Sequence, residues 1–253
     1  MPEDVIIRVR SLHRGFDGQR VLKGVDLDIP RGETTVVIGR SGIGKSVFLK
    51  HIIGLLRPDE GQIWIDEEEI TRLSSDEMDR VRQKFGMLFQ NAALFDSMNV
   101  AENVAFPLRE RTRLSRAEIG ERVRRKLKLV GMEGAEHKMP AELSGGMRKR
   151  VGLARAIALD PPIILYDEPT TGLDPILRDT IDRLIMEMQK ELEVTSVIIS
   201  HDIEGAFKIG DQIAMLHDGR IQACGTAEEI ENSEDPVVRQ FITGSAEGPI
   251  QVT

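Results

Sequence analysis

The chain has 253 residues, with 34 Lys and Arg against 42 Asp and Glu, for a formal charge of −8. That length can bury one large core or two lobes, and the acidic balance excludes a non-specific nucleic-acid binder, which needs a net basic surface. The single cysteine, Cys224, excludes an intramolecular disulfide and suits a reducing compartment. No apolar run reaches membrane-spanning length, and the acidic start, Met1 to Asp4, lacks the basic-then-apolar order of a signal peptide. We therefore expect a soluble, cytoplasmic chain that reaches a membrane only through a partner.

In chain order, apolar residues alternate at Val5, Ile7 and Val9, at Val25, Leu27 and Ile29, and at Ile63 and Ile65, with turns at Gly15, Asp17-Gly18 and Arg31-Gly32. This pattern predicts an antiparallel β-layer. The run Thr35–Val36–Val37–Ile38 reads as a buried strand. It leads into Gly39–Arg40–Ser41–Gly42–Ile43–Gly44–Lys45–Ser46, and then into a helix placing Phe48, Ile52, Leu55 and Leu56 on one face. Strand, glycine-rich turn and helix form a phosphate-binding loop. The glycines let successive N–H groups point inward and the helix N-terminus adds partial positive charge. Lys45 reaches the β- and γ-phosphates, and the Ser46 hydroxyl suits Mg²⁺.

From 91 to 160 the pattern turns helical. Ser115 and Glu118 form a capping box, Ile119, Val123, Leu127 and Val130 come next at helical spacing, and Gly131 stops the helix. The basic residues of this stretch, Arg122 to Lys126 among them, read as a solvated face or, more specifically, as a docking surface for an acidic or membrane-proximal partner. Two buried parallel strands are then expected, at Ile163–Tyr166 and Ser196–Ile199. Between them a helix starts at Asp174-Pro175 and buries Ile181, Leu184, Ile185, Met188 and Leu192. Further strands are expected near 213–216 and 220–223. A short helix opens at Asp235-Pro236, packing Val238 and Phe241, and the tail after Gly244 is expected to be extended.

Strand ends carry the remaining candidates. Asp167 and Glu168 close an apolar strand; Asp167 is placed to hold Mg²⁺ through water and Glu168 to take a proton from an attacking water. Gln90 ends the strand 85–89 and offers an amide oxygen to a hard cation. His201, after Val197–Ile198–Ile199–Ser200, can hydrogen-bond a γ-phosphate as a neutral imidazole. Leu143–Ser144–Gly145–Gly146–Met147 opens a helix expected over 148–159, a second anion site in a chain that already holds one triphosphate. Such a site makes sense when it faces the nucleotide of a second copy in a C₂ dimer.

These motifs, in this order, resemble the ATP-binding subunits of ABC transporters over essentially the whole chain. The resemblance implies an α/β fold: a P-loop NTPase core of ABC type with an antiparallel β-layer and a helical subdomain. A single domain would span 1–244, with the helical part at about 91–160 inserted in the core and a tail at 245–253 contacting the other subunit. Gly39, Arg40, Ser41, Gly42, Ile43, Gly44, Lys45, Ser46 and Val47 look like the Walker A segment, and Gln90 like the Q-loop. Ser144, Gly145 and Gly146 look like the signature, facing the partner subunit's ATP. Asp167 and Glu168 match the end of Walker B, Gly172–Leu173–Asp174 the D-loop, and His201 the switch histidine. Phe16 matches the aromatic position that stacks on adenine, with a core aromatic as the other reading.

The signature usually ends in glutamine, and Met147 stands there instead. Met147 and then Arg148–Lys149–Arg150 are similar to the ATPases of MCE-type lipid transporters, the Mla phospholipid system among them. Segments 42–46, 87–95, 103–110 and 235–241 agree. The resemblance implies ATP and Mg²⁺ as cofactors and a homodimer of the ATPase. It also implies membrane permease subunits, an MCE-domain protein, in some relatives a STAS-domain protein, and a place on the cytoplasmic face of the inner membrane. An importer or exporter for another substrate is the alternative. A soluble ATPase of ribosomes or DNA is disfavoured by the single ATPase unit and the acidic balance.

Overall fold

The computed structural model describes residues 4–251. In chain order they form β1 (Val5–Phe16), β2 (Gln19–Pro30), β3 (Thr34–Ile38), α1 (Lys45–Ile52), β4 (Glu60–Ile65), β5 (Glu68–Glu69), α2 (Ser75–Arg82), β6 (Phe85–Leu88), α3 (Val100–Arg111), α4 (Arg116–Leu129), α5 (Gly145–Ala156), β7 (Ile163–Asp167), α6 (Pro175–Leu192), β8 (Thr195–Ser200), α7 (Ile203–Ile209), β9 (Gln212–His217), β10 (Arg220–Gly225), α8 (Ala227–Glu231) and α9 (Pro236–Thr243). They divide into two compact units. One joins the residues up to Arg82 with those from Val197 onward, and the other is Gln83–Ser196.

In the first unit, β2-β1-β4-β5 form an antiparallel layer. Val9, Val25, Ile29 and Ile65 are fully buried, as the period-2 alternation requires, and a register shift between Val9 and Leu12 returns Leu12 to the core. A second layer runs β10-β9-β3. Its β9–β3 pair is parallel, with Ile38 opposite Met215, and every residue of β3 is buried. A strand buried on both faces reads as the continuous apolar run seen in the sequence. The helix after the phosphate loop is shorter than the periodicity predicts. α1 ends at Ile52, and Leu55, expected on its buried face, is 53% exposed beyond it.

The second unit pairs β6 and β7 in parallel, Leu88 opposite Tyr166, so both strands deliver their carboxyl ends to one edge. The helices of this unit begin on side-chain caps. Asn99 with Glu102 and Ser115 with Glu118 form full capping boxes on α3 and α4, and the Asp174 carboxylate accepts from the N–H groups of Ile176 and Leu177 in the first turn of α6, satisfying donors the helix cannot. The basic face of α4 is not uniformly solvated: Lys126 is buried and pairs with Asp160.

Candidate functional site

The first unit contributes the phosphate loop. β3 delivers the chain to Gly39, where a Cβ would stand 2.5 Å from the Leu216 carbonyl oxygen on β9; the backbone approach leaves room for hydrogen alone. Gly44, at φ 111°, lies against Val21 and turns the chain into α1. No side chain caps α1 and no acid sits in its first turn, so its opening N–H groups and dipole keep their affinity for an anion. Lys45 is buried and folds back along the loop, its Nζ donating to the carbonyls of Gly39 (2.7 Å) and Arg40 (3.1 Å). Ser46 comes next in the first turn and is half-buried. Phe16 closes β1 with 38% of its surface exposed and the Arg14 guanidinium 4.7 Å above its ring, which is a surface platform rather than a core position. His201 directly succeeds β8 and is exposed, with Asp202 capping α7 behind it.

The tail of this unit does not run extended. Residues 246–250 bend back, and the buried Gln240 side chain clamps Ile250, accepting from its N–H (2.6 Å) and donating to its carbonyl (3.0 Å). One residue on, the Gln251 carbonyl accepts from Arg40 of the phosphate loop at 3.1 Å.

The second unit brings together the motifs that lie far apart in its sequence. β6 ends before the Gln90 turn, and β7 ends at Asp167. Glu168 then takes a left-handed backbone, φ 51°, a conformation a β-substituted residue holds only when its surroundings fix it. Its carboxylate accepts from the Thr171 hydroxyl at 3.1 Å. α5 opens at Gly145, three residues before the expected start, because the Ser144 hydroxyl accepts from the Met147 N–H at 3.3 Å and serves as N-cap. Ser144 is exposed and Gly146 buried against Leu177. A cavity of about 360 Å³ joins Gln90, the start of α5 and the Thr171–Gly172–Leu173 turn.

Several residues were not singled out from sequence. The buried Lys149 on α5 donates to the backbone carbonyls of Gln90 and, at 3.2 Å, Glu168. Burial pulls its pKa down to about 8, against the opposing charges of Glu168 and Asp167. Arg155, two turns on, donates to the carbonyls of Ala92 (2.6 Å) and Ala93 (2.7 Å), both left-handed. Asn103, fully buried on α3, accepts from Phe95 N–H (2.9 Å) and donates to the Met98 carbonyl (2.9 Å). An asparagine on the buried face of a helix was the one sequence signal for this loop anchor.

A model of the family "ABC transporter" matches residues 22–171. The "Probable ribonucleotide transport ATP-binding protein mkl" of Mycobacterium leprae is 48% identical over 99% of this chain and 72% of its own length. The "Intermembrane phospholipid transport system ATP-binding protein MlaF" of Haemophilus influenzae is 45% identical over 97% of this chain and 93% of its own. Among solved structures, cbiO1 from Clostridium perfringens, part of the cbiONQ transporter complex, superposes with a TM-score of 0.85 at 34% identity, covering 94% of this chain and 95% of that one. The dimeric post-hydrolysis state of the cassette MJ0796 with ADP and Pi gives 0.80 at 34% identity, covering 87% and 98%.

Proposed function

This chain belongs to the ATP-binding subunits of ABC transporters, and from that premise we propose that two copies close around two ATP and drive a membrane permease that moves phospholipid in an MCE-type system. The observation that carries the cargo is the 45% identity to MlaF along nearly the full length of both chains. The Mkl relative bears a ribonucleotide name; cargo is selected in the permease, so the ATPase fold serves either. Among the described residues no helix is long and apolar enough to cross a membrane; in this reading the membrane path belongs to permease subunits. MCE-domain and STAS-domain partners, and a seat on the cytoplasmic face of the inner membrane, belong to the same reading.

In this scheme the open N–H groups of α1 and Lys45 hold the phosphates of one protomer's ATP, with Arg40, Ser41, Ile43 and Val47 along the loop and Phe16 under the adenine. The partner's Ser144, Gly145 and Gly146 face the same γ-phosphate. Glu168 accepts the proton of the attacking water, and His201 orients it against the phosphate. Ser46, Gln90 and Asp167 each offer a hard oxygen suited to Mg²⁺. Among the described residues no cluster of three His, Cys, Asp or Glu suits a metal by itself, so the ion would be shared with phosphate and water. When bound, Mg²⁺ neutralises charge on the transferring phosphoryl group.

The test is Glu168→Gln. It should bind ATP, accumulate as a dimer and lose turnover by roughly 10²- to 10⁴-fold, the usual worth of a general base. Wild-type turnover in this variant would remove Glu168 from the chemistry. Lipid analysis of the complex purified in mild detergent tests the cargo; bound ribonucleotide without lipid would overturn the phospholipid assignment.

A further inference from the structure

We propose that Lys149 is a positioning residue for hydrolysis, fixing the backbone of Glu168 and the Gln90 turn from the helix that begins at Ser144. The inference deepens the reading of Glu168 as base and rests on it. Two strands, β6 and β7, end side by side and release their chains into turns that bear the reactive side chains. A parallel ladder does not fix the backbone beyond its last pair. Here one buried ammonium donates to the carbonyls of both turns, at Gln90 and at Glu168.

The contact at Glu168 falls where the backbone needs support. A glutamate at φ 51° sits in the left-handed region that a Cβ disfavours. Thr171 holds its carboxylate from one side, with the Thr171 N–H donating to the Glu168 carbonyl at 3.3 Å. Lys149 takes that same carbonyl from the other. The Glu168 side chain is thus aimed by its backbone, and the backbone is tied to α5. Since α5 is also the helix whose tip faces the second copy's nucleotide in the proposed dimer, any shift of that helix on closure is delivered to Glu168 and Gln90 together. Lys149 lies one turn into α5, close enough to its tip to move with it.

Lys149→Met keeps the length of the stem and removes the donor; Lys149→Arg keeps a cation able to serve two carbonyls. In steady-state ATP hydrolysis by the full chain, Lys149→Met should lower kcat roughly 10- to 100-fold, the scale of a small misplacement of a catalytic group. KM and ATP-dependent dimer accumulation should stay unchanged, and Lys149→Arg should recover most of kcat. Hydrogen exchange should rise at the amides of 90–92 and 168–171 in the methionine variant alone. Wild-type kcat in Lys149→Met overturns the inference, as does a loss carried by KM or one that arginine leaves unrepaired. Should the methionine variant fail to fold, Lys149→Gln, whose shorter neutral amide cannot serve both carbonyls, must show the same loss confined to kcat, and wild-type kcat in it overturns the inference. Glu168→Gln run alongside separates the two readings: wild-type turnover there sinks the base assignment, whereas turnover lost there and kept in Lys149→Met sinks the positioning role alone.

Discussion

Replacing Arg155 by methionine keeps most of its stem and deletes two bonds that hold the loop after Gln90. Arg155 donates to the carbonyls of Ala92 and Ala93 at 2.6 and 2.7 Å. Both alanines are left-handed, φ 59° and 47°, at about 1–2 kcal/mol each. A hydrogen bond from a charged donor contributes about 1.5–3 kcal/mol, so the two bonds together offset the strain they enforce. Ala93 is exposed and water can replace part of its bond, while Ala92 is buried. The net loss should be about 2–4 kcal/mol, which for a chain of this size lowers the melting temperature by roughly 4–16 °C. Adding Ala93→Gly, which removes the left-handed penalty without touching the core, should return about 1 kcal/mol in the Arg155→Met background. The assay is thermal and urea unfolding of the wild type, the single variants and the double variant. An Arg155→Met melt that overlays the wild type would refute the claim that this guanidinium holds the turn, and an Ala93→Gly that destabilises would refute the strain.

Two more predictions concern buried side chains. His51 is 1% exposed and donates from Nδ1 to the Val47 carbonyl at 2.7 Å; burial, reinforced by the charge of Arg14, holds its pKa below the ordinary 6.5. The unfolded chain therefore takes up this proton first as pH falls, so stability should be level above about 6.5 and decline below it. Urea midpoints at acidic and neutral pH should differ less in His51→Asn; an unchanged difference rejects the assignment. Gln240→Ala strands the N–H of the buried Ile250, a loss of about 1–3 kcal/mol that should open residues 245–251 to protease. Equal protection in variant and wild type would show that the clamp holds nothing.

The phosphate loop was legible because its requirements are local: glycines at positions that need positive φ or close approach, then a lysine and a serine, all inside one strand–turn–helix. Caps at Ser115 and Asp174 act within three residues and leave equally short signatures. The features that escaped were non-local or against propensity. Gly145 and Gly146 read as a turn, yet they open α5 because Ser144 caps it. Ala92 and Ala93 give no sign of a left-handed turn, since its cause is Arg155, 62 residues from Ala93 in sequence. Lys126 reads as a solvated charge until Asp160 supplies its partner, and no local pattern marks Lys149 as the donor to the Gln90 and Glu168 carbonyls. The tail looked extended because Gln240, which bends it, carries no motif.

That bend gives the distal end of the polypeptide a metric role. With Ile250 latched at both backbone atoms, the Gln251 oxygen arrives at the Arg40 guanidinium by a path of fixed contour. Each residue added or removed between the latch and Arg40 displaces that oxygen by up to about 3.5 Å, more than the whole bond. The stretch between Gln240 and Gln251 therefore behaves as a ruler with two fixed marks, the Gln240 amide that latches it and Gly248, where a Cβ would stand 2.4 Å from that amide oxygen.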